Sequence, residues 1–523
     1  MAGGNITKTS NGTIREAATS DYTVSAKSVQ TNAGQRIVEN SNDGVVYGEP
    51  EQGIIKDDLV DIAVGMFFDG TGNNRKNIDT REANPNSYQS AIGTKYLWQD
   101  NTSYENDRTN VDKLEKMYPK QGLYFSIYIE GIGTTNDAYD TLKDMGLGTG
   151  GTGIREKVRK GCEELVKQIK SRTPRNINTL TIDVFGFSRG AAAARNFVHE
   201  VTKAAYEATV VESSAEGTEG AKLYYDEDMK PATTEEMPAR GHLGVHMKRS
   251  NLKINAVRIR LAGLYDTVSA YGANHKDDLG ELHLNAVNQA AKIVHLTAAD
   301  EHREKFELTS VTTGIELTLP GVHSDVGGSY RDNVAEDVSL AEEMLSVLNR
   351  TRLIQAERNR LIEQGWYRAE QMQNTQPYKL TGRRILSNRY SLLPLHLMLQ
   401  MGKDKVTFDE AMLTQLYTIP TAPLAGGTLK LPDVYKRLED YAIKRTAPPM
   451  LFNNTLQLGS LKRMLDMGAY DPVKYARDVR DHQMLLELRN KYLHFSSSWD
   501  GVGKEPSLNE AGERERVVFN KRH

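Results

Sequence analysis

Residues 179–195 read TLTIDVFGFSRGAAAAR, and this stretch decides the fold. An apolar, β-branched run is followed by Gly-Phe-Ser-Arg-Gly and then by four consecutive alanines. This order is typical of a strand that turns into a helix at a nucleophile elbow, where a serine is held at strained backbone angles. Ser188 is therefore the predicted nucleophile. Gly186 and Gly190 stand where strand and helix pass so closely that a Cβ would clash.

Other apolar runs predict the rest of a sheet. They are residues 61–68 (DIAVGMFF), 123–130 (LYFSIYIE), 255–264 (NAVRIRLAGL) and 314–319 (GIELTL). Each ends in a glycine-rich or reactive loop, and helices are predicted between several of them, at 154–171 and 285–298 among others. The sequence therefore predicts an α/β fold with a mostly parallel sheet, whose carboxyl edge holds the site.

The domain organisation is predicted from composition. Residues 1–55 are rich in Ser, Thr, Asn and Gly and form a polar N-terminal arm, either disordered or ordered on a partner. Residues 56–335 form the catalytic core, residues 336–480 a largely helical cap or insertion, and residues 481–523 return to the core. Within the cap, residues 416–427 (LYTIPTAPLAGG) are interpreted as a membrane-facing insertion or a buried loop. For residues 392–399 (LLPLHLML) a core helix is favoured.

Composition excludes several classes of protein. The 523 residues carry a net charge of −3 with both signs mixed along the chain, so no polybasic face for nucleic acid is expected. Cys162 is the only cysteine, which excludes intrachain disulfides and a cysteine-based metal site. The N-terminus lacks the pattern of a Sec signal peptide, and no apolar run approaches the roughly 20 residues that span a bilayer. A soluble protein is expected, exported by another route if at all.

A serine nucleophile needs a base and an acid that orients the base. In this fold they follow the serine in the order acid, then histidine. Asp266 and His323 fit that order, each just past a predicted strand. His295 and His302 fall on or beside the helix predicted at 285–298 and are less suitable. Asp325 is the alternative acid, although its expected role is to hold the histidine loop through backbone hydrogen bonds.

The oxyanion of an acyl-transfer reaction needs N–H donors. The N–H of Arg189 is one candidate, and Gly70 or Thr71 after the first strand supplies the other. An ordinary turn at residues 69–74 is the alternative. The glycine-rich loop at residues 146–153 lacks the Gly-Lys-Ser/Thr ending of a phosphate loop, so a rim near the site is expected instead of a nucleotide site. The predicted ester hydrolysis uses neither metal nor cofactor.

Five motifs occur together: FFDGTGNN (67–74), GFSRGAAAAR (186–195), GLYDTV (263–268), HLTAADEHR (295–303) and PGVHSDVGGSY (320–330). In this order they resemble the α/β-hydrolase domain of the type VI secretion phospholipase effectors, the first lipase-effector family. The resemblance covers residues 60–335. It implies a triad of Ser188, Asp266 and His323, phospholipase A activity on membrane glycerophospholipids of rival bacteria, transport on the secretion spike and neutralisation by an immunity protein. It also implies release into the periplasm of the target cell.

Two other functions compete with this hypothesis. Asp69, Asp266, His323 and Asp325 could surround a divalent metal for phosphoester hydrolysis. Alternatively, the chain is a spike-bound cargo or binding module in which catalysis is secondary.

Overall fold

A six-stranded parallel sheet lies at the centre of the chain. The structure, a computed structural model, describes residues 59–88, 99–100, 102–213, 221–232, 235–270, 279–343, 349–450, 455–500, 503–510 and 512–520. The strands of the sheet are β1 (Val60–Phe68), β2 (Tyr124–Ile129), β3 (Ile177–Phe187), β4 (Ile254–Tyr265), β5 (Ile293–Ala298) and β6 (Ile315–Leu319). The predicted α/β fold with a mostly parallel sheet is confirmed. The predicted arm at residues 1–55 lies outside the described residues.

The strand order locates the site. Across the sheet the order is β6-β5-β4-β3-β1-β2, and every neighbouring pair is parallel. The chain passes from β1 outward to β2, then returns to β3 on the other side of β1 and continues outward from there. Such a reversal opens a crevice at the carboxyl ends of the two inner strands, where ligands of open α/β sheets bind. Here that crevice lies between β1 and β3.

The helix predicted at residues 285–298 is wrong. The structure has a 3₁₀ turn at Leu284–Gln289 followed by strand β5, whose six residues are all buried. A strand buried on both faces reads as a continuous apolar run, and periodicity alone does not distinguish it from a buried helix. This strand is the one member of the sheet that the sequence analysis missed.

Helices cover both faces of the sheet. In chain order the described helices are α1 (Arg75–Ala83), α2 (Thr102–Glu105), α3 (Asn110–Met117), α4 (Leu142–Leu147), α5 (Ile154–Arg172), α6 (Arg189–Thr202), α7 (Gly241–Arg249), α8 (His323–Gly327), α9 (Arg350–Glu363), α10 (Leu392–Gly402), α11 (Glu410–Leu416), α12 (Leu431–Ala442), α13 (Thr455–Asp466) and α14 (Pro472–Lys491). Because side chains alternate along a strand, Met66 and Phe68 pack with α5 and α6 on one face, whereas Phe67 packs on the other. That second face is covered mainly by α3, α10, α12 and α14. Among the described residues, no helix has the length and apolar character needed to cross a bilayer.

Residues 336–480 contain more than helices. An antiparallel sheet of β7 (Val334–Glu342), β8 (Met372–Gln376) and β9 (Lys379–Leu386) precedes α10, so the largely helical expectation was incomplete. Helix α10 is a core helix, as favoured. Tyr417, Ile419 and Leu424 are partly buried and pack against the same core, but no residue of 416–427 is fully buried and Leu416 is exposed, so the buried-loop interpretation is not supported. The domain boundaries stay a prediction.

Shorter elements complete the described part of the chain. The paired short strands are Gln99–Asp100 with Asp140–Thr141, Tyr206–Glu207 with Glu236–Met237, Lys222–Tyr225 with Thr209–Glu212 and Pro231–Ala232, and Leu308–Thr309 with Val518–Phe519. Two more 3₁₀ turns are Ala369–Gln371 and Asn388–Ser391.

Candidate active site

Ser188 lies at the sharp turn between β3 and α6. Its backbone has φ 59° and ψ −131°, a conformation that costs a non-glycine residue free energy and is typical of functional turns. The serine occupies the N-cap position of α6, yet its side chain makes no capping hydrogen bond. Its hydroxyl is therefore not used by the helix, and the residue is 4% exposed.

The two elbow glycines are required by close contacts. A Cβ on Gly186 would lie 2.5 Å from the Cα of Ala191 on the outgoing helix. A Cβ on Gly190 would lie 2.2 Å from the carbonyl oxygen of Asp69 and 2.4 Å from that of Phe68. These neighbours are backbone atoms, which cannot rotate away. Glycine at position 190 therefore lets the start of α6 approach the carboxyl end of β1.

Asp266 and His323 form a buried hydrogen-bonded pair. Asp266 follows β4 at φ 43°, His323 begins α8 just after β6, and His323 Nδ1 lies 2.6 Å from Asp266 Oδ2. Burial lowers the pKa of the His323 imidazole, and the Asp266 carboxylate only partly opposes this. Burial also acts to raise the pKa of Asp266, but Arg516 and His323 outweigh it and hold that pKa far below its usual range. Nδ1 consequently donates to an ionised carboxylate, which leaves Nε2 as a proton acceptor.

Backbone and ring contacts connect this pair to the serine. Ser188 donates its N–H to the carbonyl of Tyr265, the residue before Asp266, at 3.0 Å. The ring of Phe187, the residue before the serine, lies 4.5 Å from the ring of His323 between centroids. All three predicted residues thus lie at one edge of the sheet. Within the described residues the Ser188 hydroxyl makes no hydrogen bond, a state common in enzymes before substrate binds.

The two candidate loop donors for an oxyanion differ. The Gly70 N–H donates to its neighbour Asp69 Oδ1 at 2.8 Å, so it is already engaged. Neither the Thr71 N–H nor the Arg189 N–H has a partner among the residues that the structure describes. Asp69 is buried and also accepts from Tyr128 at 2.5 Å, yet burial outweighs these bonds and raises its pKa to about 6. Of the candidates, Thr71 and Arg189 keep free donors.

Arg516 is a site residue that sequence analysis missed. Its Nη1 lies 2.7 Å from Asp266 Oδ1 and its Nη2 lies 2.8 Å from Oδ2, while Nε donates to the carbonyl of Phe306 at 2.8 Å. The short pairing of Val518–Phe519 with Leu308–Thr309 holds this C-terminal segment beside the site. No local pattern around Arg516 indicates this role, because its partner lies 250 positions away.

Residues from the C-terminal part of the chain hold the loop that carries His323, here called the histidine loop. Asp325 accepts from the N–H of Val322 at 3.0 Å, as expected of a residue that holds the loop, and lies 2.7 Å from His494 Nδ1. Glu301 is fully buried and accepts from the N–H of His323 at 3.3 Å and from Ser496 Oγ at 2.8 Å. The return of residues 481–523 to the core stays a prediction, and these contacts agree with it.

The prediction that His295 falls on or beside a helix is wrong. It lies on strand β5, not on a helix, and its Nε2 accepts from the N–H of Thr267 at 3.1 Å while Nδ1 lies 2.9 Å from Glu316. It supports the turn after Asp266. His302 follows this strand, and burial lowers its pKa to about 4.

The metal hypothesis finds no support in the geometry. Within the described residues, two sets of side chains are close enough to share an ion, namely His199 with Glu227 and His283, and Asp226 with Asp228 and His242. Neither set contains Asp69, Asp266, His323 or Asp325. Asp69 is bound to Tyr128 and Asp325 to His494, whereas Asp266 and His323 bind each other and Asp266 also pairs with Arg516.

The fold and this edge of the sheet define an α/β-hydrolase-like protein with a serine at a strand-to-helix elbow and an aspartate–histidine pair beside it. Residues 65–349 match the family described as the Tle1-like phospholipase effector of the type VI secretion system, catalytic domain. The chain belongs to this family. It is accordingly a lipolytic effector of the type VI secretion system.

Solved structures that are similar to the chain include the following two. One is described as the Tle1 effector bound to the VgrG spike from the type 6 secretion system, with 18% identity over 88% of this chain and 94% of that chain and a TM-score of 0.47. The other is an uncharacterized protein from Pseudomonas aeruginosa, with 18% identity over 83% of this chain and 64% of that chain and a TM-score of 0.32. A comparison with curated proteins found no match.

Proposed function

We propose that this effector is a serine carboxylic-ester hydrolase, a phospholipase A that cleaves acyl esters of membrane glycerophospholipids. Ser188 attacks the ester carbonyl, His323 accepts the serine proton at Nε2, and Asp266 orients the imidazole. The observation that carries this proposal is the 2.6 Å bond between His323 and Asp266 at the edge where the strained Ser188 lies. His323 then protonates the leaving alcohol, and water repeats the cycle on the acyl-enzyme.

The N–H groups of Arg189 and Thr71 hold the oxyanion. Arg189 is the first residue of helix α6, so its N–H has no partner inside the helix. This N–H lies at the positive end of the helix dipole. Thr71 follows β1, whose end lies against the start of α6 at Gly190. Each such donor is worth about 3–4 kcal/mol of barrier.

Removal of the nucleophile tests the proposal. Ser188→Ala is expected to abolish fatty-acid release from phospholipid vesicles with unchanged thermal unfolding. A matched control is Ser126→Ala, which removes a partly buried strand hydroxyl bound to Glu115. Unchanged release by Ser188→Ala would refute the mechanism. Fluorophosphonate labelling followed by peptide mapping gives an independent check, since a label on any residue other than Ser188 would also refute it.

The route by which the protein reaches a target cell is proposed from its family membership. The protein travels on the secretion spike into the periplasm of a target cell and is neutralised in the producer by an immunity protein. The polar segment at residues 1–55 is proposed to dock on the spike. Deletion of this segment should abolish spike association and leave turnover on vesicles unchanged. Loss of turnover with retained docking would show that the segment has a different role.

A further inference from the structure

The side chain of Arg189 is an unpaired guanidinium beside the nucleophile. It makes a single hydrogen bond, from Nη1 to the carbonyl of Gly146 at 3.3 Å, and it forms no ion pair within the described residues. Arg195, six positions along the same helix, instead donates to the carbonyls of Leu284, Thr309 and Ser310. Most donors of Arg189 are thus available to a ligand.

Among the described residues, none compensates the charge of Arg189. Burial lowers the pKa of its guanidinium to about 10, and no acidic group in the described part of the chain opposes that effect. The side chain still carries its charge at neutral pH. A cation that is partly removed from water without a counter-ion is costly in free energy, and a bound anion would reduce that cost.

The position of the guanidinium suits a substrate group. Arg189 directly follows Ser188, and its side chain lies against Gly148, where a Cβ would stand 3.6 Å from the arginine Cδ and Nη1. In a glycerophospholipid the phosphodiester is attached to the same glycerol as the acyl esters, a few bonds from the carbonyl that the serine attacks. The planar fork of arginine matches the oxygens of a phosphate and donates more than one hydrogen bond to it.

We propose that the guanidinium of Arg189 binds the phosphodiester of the phospholipid while Ser188 attacks its ester. This inference rests on the proposed function and gives a physical reason for substrate selection. The backbone N–H of Arg189 stabilises the oxyanion, and the side chain of the same residue selects lipids that carry a phosphate. A neutral glyceride has an ester for the serine but no anion for the guanidinium.

The test compares two substrates that share the diacylglycerol part, one with and one without an anionic phosphoglycerol headgroup. Wild type, Arg189→Gln and Arg189→Lys are assayed in the same mixed micelles on phosphatidylglycerol and on diacylglycerol with identical acyl chains. Loss of a charge-assisted hydrogen bond is expected to lower kcat/KM of Arg189→Gln on phosphatidylglycerol about 10- to 100-fold. Its kcat/KM on diacylglycerol should fall much less, because that lipid has no anion for the guanidinium, so the preference for phosphatidylglycerol over diacylglycerol should decrease. Arg189→Lys should recover part of the loss.

Arg240→Gln is the matched control. Arg240 also lacks an ion pair within the described residues, burial also lowers its pKa, and it donates to one carbonyl, that of Asn255, at 3.1 Å. Asn255 lies at the amino end of β4, the edge of the sheet opposite Ser188. This variant should hydrolyse both lipids as wild type does.

Four outcomes would overturn the inference. An equal loss on both lipids in Arg189→Gln would assign the arginine a structural role, and no loss on either would show that it contacts neither. Stimulation of wild-type diacylglycerol hydrolysis by inorganic phosphate would identify a site for free phosphate instead of a headgroup site. If wild type hydrolysed neither lipid, the proposed function would fail, and this inference with it.

Discussion

Arg516 and Asp266 form a bidentate ion pair, with Nη1 2.7 Å from Oδ1 and Nη2 2.8 Å from Oδ2. The same Oδ2 lies 2.6 Å from His323 Nδ1. The guanidinium therefore fixes the plane of the carboxylate and directs one of its oxygens at the imidazole. Arg516 lies beyond residues 65–349, the part of the chain that matches the catalytic-domain family. The proposed triad is thus positioned by a residue outside that match.

Loss of Arg516 should change both activity and its pH dependence. In Arg516→Gln the charge of Asp266 is no longer offset, so the pKa of His323 should rise and the acid limb of kcat/KM should move to higher pH. A drop of about 10- to 100-fold in kcat/KM at neutral pH is expected from the lost charged hydrogen bonds. Removing one partner of a buried pair also costs about 3–5 kcal/mol of stability. Arg516→Lys should restore the position of the limb in part.

Arg514→Gln tests whether Arg516 orients Asp266 or only tethers the C-terminal segment. Arg514 lies two residues away, pairs with Glu357 and donates to the carbonyl of Leu340 at 2.6 Å, but it does not contact Asp266. This variant should lower the unfolding temperature without moving the acid limb. If both variants moved the limb equally, Arg516 would merely tether the C-terminal segment.

The acid limb of the wild-type pH–rate profile should have its midpoint at a low pH. Burial lowers the pKa of His323 below its ordinary 6.5, and a general base must be neutral to accept a proton. The folded protein therefore keeps the base active down to a lower pH than a solvent-exposed histidine would. We expect the acid limb of kcat/KM on a soluble p-nitrophenyl ester to have its midpoint below 6.5. A midpoint above that value would contradict the neutral, buried imidazole.

How much of this site could be predicted depends on where its residues lie. Ser188, Asp266 and His323 follow strand ends within short motifs, so a local pattern combined with the order typical of the fold was enough to propose them. The sequence of strand β5 predicts a helix because burial on both faces removes the alternation that identifies a strand.

The supporting residues carried no such signal. Arg516 and His494 act across 250 and 169 positions, and nothing in their neighbouring residues indicates a partner. Only the closed tertiary structure brings them to the site. The engagement of the Gly70 N–H by Asp69 was equally invisible, because it depends on the orientation of one carboxylate.

His494 should support the histidine loop. Its Nδ1 lies 2.7 Å from Asp325, its ring stacks on Tyr330 at 3.6 Å between centroids, and Asp325 binds the N–H of Val322. His494→Gln should cost about 1–3 kcal/mol of stability through the weakened bond to a buried acid. It should also lower kcat without moving the acid limb. Chemical denaturation and pH-dependent rates measure both effects.

His482 provides the control for that substitution. It is buried on α14, and neither of its ring nitrogens has a hydrogen-bond partner in the part of the chain that the structure describes. His482→Gln should leave kcat unchanged. If it lowered kcat as much as His494→Gln does, the effect would be attributed to general loosening of the C-terminal part of the chain.

Gly190→Ala should abolish activity through the backbone. The new Cβ would meet the carbonyl oxygens of Asp69 and Phe68 at 2.2 and 2.4 Å, so α6 would have to move away from β1 and carry the Arg189 N–H with it. Gly459→Ala on α13 is the opposite case, because a Cβ there meets no atom of the described residues within 4 Å, and an alanine inside a helix should gain about 0.5–1 kcal/mol. Unfolding curves and vesicle hydrolysis should therefore show a destabilised, inactive protein for the first and a slightly stabilised, active one for the second. An active Gly190→Ala variant would mean that close approach of α6 to β1 is not needed for catalysis.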